Sequence, residues 1–238
     1  MTATTTRHPQ TTPARGPAAD RHRAISIVVG LAYIGIIATG IFAEFVVRGQ
    51  LLVADDAART ASNILANTGL FQAGIAADLI MVGFDLMVGV GLYLLLRHLD
   101  RRLALATTLF RVLQGAVIAV NLLNLTRALM AAQTSAGATA MELMEAHALG
   151  YDAGLIAFGF SCLFLARLLW TYRLVPRWLA VGMAATGVVY LVGSAAALWA
   201  PSLSAAIDPL YLIAMVVEPA FAVRLIRHGL APHATTNP

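Results

Sequence analysis

Six long apolar runs separated by short polar connections set the pattern of this chain. They fall at about residues 24–46, 71–96, 103–130, 147–170, 177–199 and 207–227. Each is near the ~20 residues that an α-helix needs to cross the hydrocarbon core of a bilayer. Pro176, Pro201 and Pro209 stand at or near run ends, where a residue without an N–H is tolerated. The pattern predicts an all-α fold, a polytopic membrane protein built as a bundle of six transmembrane helices. Residues 1–22 carry Thr, Pro and Ala without apolar periodicity. They are expected to be a disordered tail before a transmembrane domain at 23–228, with 229–238 as a second short tail. Ala38-Thr39-Gly40 is only a passable cleavage site, so the first run is expected to be a retained anchor.

Two connections are longer than the rest. In residues 47–70, Asp55 and Asp56 are candidate helix caps, and Ala57, Ala61, Ile64, Leu65 and Thr68 recur at helical spacing. A short helix lying on the outer surface is expected there. Residues 131–146 are small and polar and end in an acidic helical start with Glu142 and Glu145.

Composition supports the membrane class. Hydrophobic residues make up 59% and charged residues 12% of the chain, and the mean hydropathy is +0.78. That leaves too little charge to cover a soluble domain of this size. All 16 basic residues are arginine, which excludes Schiff-base chemistry and any lysine-dependent phosphate loop. Cys162 is the one cysteine, so no intramolecular disulfide and no cysteine-based metal site can form. Twelve of the arginines lie in the N-terminal tail, the second-to-third and fourth-to-fifth connections, and the end of the last run. The positive-inside rule then puts both termini in the cytoplasm, in a multi-pass protein of the cell (inner) membrane. It also accounts for the net charge of +4 without a nucleic-acid partner. Trp170, Trp178 and Trp199 at run ends read as interface anchors.

The candidate chemistry is the small set of polar residues inside the runs. Arg111 lies within LFRVLQGAVIAVNLLNL, where a guanidinium must meet water or a carboxylate because it cannot shed its charge. At ~100° per residue, Ser26, Tyr33, Gly40 and Glu44 fall on one stripe of the first helix. Asp78 and Asp85 share a face of the second, and Arg111, Gln114 and Asn121 an arc of the third that Asn124 extends. Asp208, Tyr211 and Glu218 share an arc of the sixth. Counting ~1.5 Å per residue puts Arg111, Asp85 and Glu218 at roughly similar depth. Asp85 is the expected partner, and Glu218 either a second ligand of the guanidinium or a protonated acid. A second polar group is expected nearer the outer face, from Glu44, Asp78, Asn121, Asn124, Arg127, His147 and Asp152.

In chain order, GLAYIGIIATGIFAEFVV led by Arg23 is followed by DDAARTASNILAN, then by the Tyr93-to-Arg97 end of the second run. LFRVLQGAVIAVNLLNL, LVPRWLAVGMAATGVVYLVG and a last run around Glu218 ending in Arg227-His228-Gly229 follow. Over about residues 23–230 this order resembles the bacterial family of integral membrane proteins known as domain of unknown function 4386. The resemblance implies a multi-helix membrane protein and lends no reaction, substrate or ligand.

The functional expectation is a small transporter or a ligand- or proton-responsive membrane protein. Asp85, Arg111 and Glu218, with Asp78, Asn121 and Glu44, would hold a proton, ion or small polar ligand. A membrane-embedded enzyme acting on a lipid or isoprenoid, and a structural or assembly protein, are the alternatives. No cofactor is expected and no metal centre, since one histidine beside Glu44 and Asp78 is thin support for a metal.

Overall fold

The computed structural model describes residues 17–134 and 136–230, and every regular element among them is helical. Six helices are long and apolar enough to cross a membrane: α1 (Pro17–Leu51), α3 (Thr68–Leu96), α4 (Arg101–Gln133), α5 (Gly137–Thr171), α6 (Arg177–Trp199) and α7 (Pro201–His228). The short helix α2 (Ala57–Ala66) links the first two spans. The chain is a multi-pass membrane protein. Its exposed side chains include Leu31, Leu79, Val120, Leu123 and Val216, while Asp78, Asp85, Arg111 and Glu218 are buried. That is the inverse of a water-soluble surface, and it suits a bundle surrounded by lipid.

Each span packs against its neighbour in the chain, and α7 returns to pack against α1. The six helices therefore close a ring in chain order. The return is fastened by Arg23, whose Nη1 donates to the carbonyl of Leu225 at 3.0 Å and whose Nη2 donates to those of Ile226 and Arg227. These carbonyls are among the last of α7, which have no helical partner of their own. Both ends of the described chain thus lie at one end of the ring, called here the terminal end.

Sequence chemistry sets the helix boundaries. The Asp100 carboxylate accepts from the N–H of Arg102 and of Leu103 and caps α4. Asp56 caps α2 through the N–H of Arg59 at 2.9 Å. Asp55, the other candidate, takes a left-handed conformation at φ 59° instead. Pro176 precedes α6, and the N–H of Gly229, at φ 68°, closes α7 on Leu225. Pro201 and Pro209 wind the start of α7 into tight 3₁₀ turns, so its regular part is Leu212–His228.

Two boundaries differ from expectation. Residues 131–146 are not a long polar connection, because α4 and α5 run through them and only Thr134–Ala136 separates the two helices. The segment is rich in Ala, Met, Leu and Glu, all strong helix formers. With 33 residues, α4 is about 50 Å long at ~1.5 Å per residue, well past a ~30 Å hydrocarbon core. Its far end and that of α5 build a second apolar core with α2, through Ile64, Leu125, Ala128, Ala132, Ala140 and Met144. The second difference is at the start. Helix α1 begins at Pro17, inside the stretch expected to be a tail. Residues 1–16 and 231–238 of the expected tails lie outside the described residues.

Helices α5 and α6 cross most closely where two glycines face each other. A Cβ on Gly187 would stand 2.8 Å from the carbonyl oxygen of Gly159, and one on Gly159 would stand 2.9 Å from that of Gly187. Lipid offers no hydrophobic drive for helix association, so such backbone contact carries the packing. Gly187→Ala is expected to lower stability by about 1–3 kcal/mol, because backbone rather than a flexible side chain must yield. Gly83→Ala, with nothing within 4 Å, is expected to be neutral or slightly stabilising. Thermal unfolding of the two purified variants in detergent checks the contrast.

Candidate functional site

Every span of the ring contributes a side chain to one buried cluster. Arg111 on α4 is 1% exposed. Its Nε lies 2.6 Å from Asp85 Oδ1 on α3, off the N–H axis, so the contact is ionic without the alignment of a good hydrogen bond. Its Nη1 donates to Tyr33 Oη on α1 at 2.9 Å. The guanidinium carbon lies 4.7 Å from the centre of the Tyr33 ring and 4.8 Å from that of Phe158 on α5. The cation is thus held between two aromatic rings, where its attraction to their π-faces is stronger for want of water. Its Nη2 is buried and has no partner. Gln114 Oε1 on α4 and Thr186 Oγ1 on α6 are also buried without a partner.

Glu218 on α7 completes the circle, but not as a second ligand of the guanidinium. Its carboxylate accepts from Tyr190 Oη on α6 at 2.8 Å. Tyr33 takes the second place beside Arg111, the first of the two roles expected for Glu218. The aromatic wall continues from Phe158 to Tyr190 and on to Tyr211, with ring centres 5.0 and 5.5 Å apart. Phe221, one turn past Glu218, stacks edge-on against Tyr33. Pro219 removes the helical N–H just after Glu218, which loosens α7 at this level.

The second polar group divides into two units nearer the far end. Asp78 is wholly buried and binds Arg48, with Nη1 to Oδ2 at 2.6 Å. The Arg48 Nε also contacts Glu44 at 2.7 Å. Helix α1 widens to π-helical winding over Phe42–Arg48. The 100° register therefore fails there, and Glu44 leaves the expected stripe with its side chain 60% exposed. Ser26 and Tyr33 keep that stripe and are buried. π-helical turns are frequent at functional sites. The other unit is Asn121, which donates to the His147 carbonyl at 2.7 Å, lies 3.1 Å from His147 Nδ1, and accepts from Asn124. His147 is buried well inside α5, and its Nε2 has no partner. Asp152 accepts from Ser194 instead of joining this group. Arg127 and Asp208 are exposed.

Six residues were expected in one ligand or proton site, and the structure sorts them into separate contacts. Asp85 pairs with Arg111, Glu218 with Tyr190, Asp78 and Glu44 with Arg48, and Asn121 with His147. Sequence reasoning missed Arg48, placed outside the first run. Its signal was Glu44 four residues earlier, at ion-pair spacing. It also missed Tyr190 and Phe158, which carry no local signal in apolar runs. Among the described residues no three His, Cys, Asp or Glu side chains gather as they would around a metal ion.

A family model described as "Domain of unknown function (DUF4386)" matches residues 28–229. The chain belongs to that family. No curated protein and no solved structure matches the chain.

The Asp85–Arg111 pair makes a stability prediction. Arg111→Leu or Asp85→Leu alone strands a buried charge and is expected to cost about 3–5 kcal/mol, while the double change is expected to be near neutral. A double-mutant cycle on thermal unfolding measures the difference.

Proposed function

We propose that the protein is a small transporter or ligand-responsive protein of the inner membrane, with its arginine-rich terminal end in the cytoplasm. The ring interior takes a small polar ligand bearing an acceptor oxygen, a carboxylate in the simplest case. The observation that carries this reading is the buried, unpartnered Arg111 Nη2. An arginine kept only to tie two helices would turn both arms of its fork to the carboxylate. Here Asp85 contacts Nε as an ion pair, Tyr33 takes a hydrogen bond from Nη1, and Nη2 has neither kind of contact. Buried donors are paired as a rule, and an exception calls for a partner.

Gln114 Oε1 and Thr186 Oγ1 are further buried groups with unused hydrogen-bonding capacity, and Tyr190 holds Glu218 as a second polar anchor. Because all six helices contribute, a ligand that draws on these groups also pulls on the packing of the ring. Pro219 gives α7 a place to bend in response.

The test is thermal unfolding of purified protein with acetate, pyruvate, succinate and benzoate. At about 100 times its dissociation constant, a ligand adds about 2.7 kcal/mol of stability, or roughly 5–10 °C for a chain of this size. At least one carboxylate is expected to give such a shift. Arg111→Lys keeps a charge for Asp85 but loses the second arm, so it is expected to abolish the shift. If no carboxylate moves the wild type and Arg111→Lys unfolds with it, Nη2 has no ligand and the reading is wrong.

A further inference from the structure

A cavity at the terminal end of the ring lies apart from the Arg111 cluster. It has a volume of about 630 Å³ and sits at the turn between α5 and α6, with Arg167, Arg173 and Arg177 in its lining beside Trp170. A second hollow of about 380 Å³ adjoins it along the outside of the same two helices. The two share Arg167, Trp170 and Ala180, and the second is otherwise apolar, with Leu163, Ala166, Val181 and Ala184. A basic bowl therefore opens into an apolar groove that runs along the lipid-facing side of the bundle. We infer that this is a binding site for one anionic phospholipid, its phosphate headgroup on the three arginines and an acyl chain in the groove.

Charge complementarity names the occupant. Among the described residues, no carboxylate lies in ion-pair range of Arg167, Arg173 or Arg177. Three arginines line one hollow, a concentration of positive charge that favours an anion there. The bowl lies at the level where Trp170 is half exposed and carries the Arg177 guanidinium over its ring, at 5.8 Å. Tryptophan and arginine together mark the headgroup layer. Basic pockets between transmembrane helices at this level suit acidic lipid headgroups.

The frame is rigid and partly strained. Tyr172 Oη donates to the Leu99 carbonyl, and Arg224 Nη2 reaches the Leu174 carbonyl at 3.5 Å, so the turn is held from both sides. Leu174 and Val175 are buried in the main core. Arg173 follows the helix end at φ 50°. That position is normally glycine or asparagine, because a side chain there is disfavoured by about 1–2 kcal/mol. Arginine at such a position is the kind of outlier that points to a role for its side chain. The groove is lined by the small side chains of Ala166, Ala180 and Ala184.

The experiment is native mass spectrometry of the purified full chain, incubated with equal amounts of phosphatidylglycerol and phosphatidylcholine. The wild type is expected to retain phosphatidylglycerol selectively. Arg173→Gln with Arg177→Gln is expected to reduce that retention about 25-fold, roughly fivefold for each arginine near a headgroup. Arg97→Gln with Arg101→Gln removes the same charge at the same end outside the bowl, and retention is expected to stay within about twofold of wild type. Ala184→Phe keeps every arginine, fills the groove and is expected to weaken retention of the diacyl lipid. Excess glycerol phosphate, a headgroup without chains, is expected not to displace the lipid. Equal losses in the two arginine pairs would assign the effect to the diffuse field of that end and overturn the site. Full displacement by glycerol phosphate, or equal retention of phosphatidylcholine, would overturn it as well. Gel filtration and thermal unfolding of each variant verify that it is folded.

Discussion

A guanidinium in the middle of a membrane span has no way to become neutral, so its surroundings must supply both charge and hydrogen-bond partners. Arg111 imposes that demand here. Asp85 answers the charge, Tyr33 takes one donor, and the Tyr33 and Phe158 rings cover the faces of the cation. Those partners come from α3, α1 and α5, so the position of α4 is fixed against three other helices at one depth. The demand is not met in full, and the leftover Nη2 is the most informative atom in the molecule.

The ring follows from the same physics. In lipid, apolar side chains gain nothing by facing each other rather than the acyl chains. What drives the helices together is close backbone contact and interior polar pairing. The Gly159–Gly187 crossing supplies the first, and Thr108 to the Gly89 carbonyl and Ser161 to the Thr107 carbonyl supply links of the second kind. The Arg48–Asp78 pair repeats the design of Arg111–Asp85 nearer the far end, on the widened turn of α1. At the far end α4, α5 and α2 build a further hydrophobic core, in which Leu125, Ile64 and Met144 are buried.

The six spans, the cap at Asp56 and the Asp85–Arg111 contact were legible in the sequence. Apolar run length is a strong signal in a bilayer. Adjacent antiparallel helices joined by four residues allow depth to be counted from one shared end. Other features depended on three-dimensional facts that spacing does not carry. Glu44 left its stripe because α1 changes winding after Ile41. Glu218 met Tyr190 rather than Arg111 because ring order puts α6 beside α7, and a tyrosine in an apolar run gives no sign of which carboxylate it will bind. The 131–146 segment read as a connection because membrane hydropathy ends there, although its helix propensity does not.

The most direct test of the account is an experimental map of the protein in a lipid nanodisc, at a resolution that shows ordered water and small ligands around Arg111. The account predicts non-protein density within about 3 Å of Nη2, at hydrogen-bonding distance, with Asp85 on Nε and Tyr33 on Nη1. A guanidinium turned to face Asp85 with both arms, with no non-protein density beside it, would contradict it. Arg111 would then be a tie between two helices and nothing more.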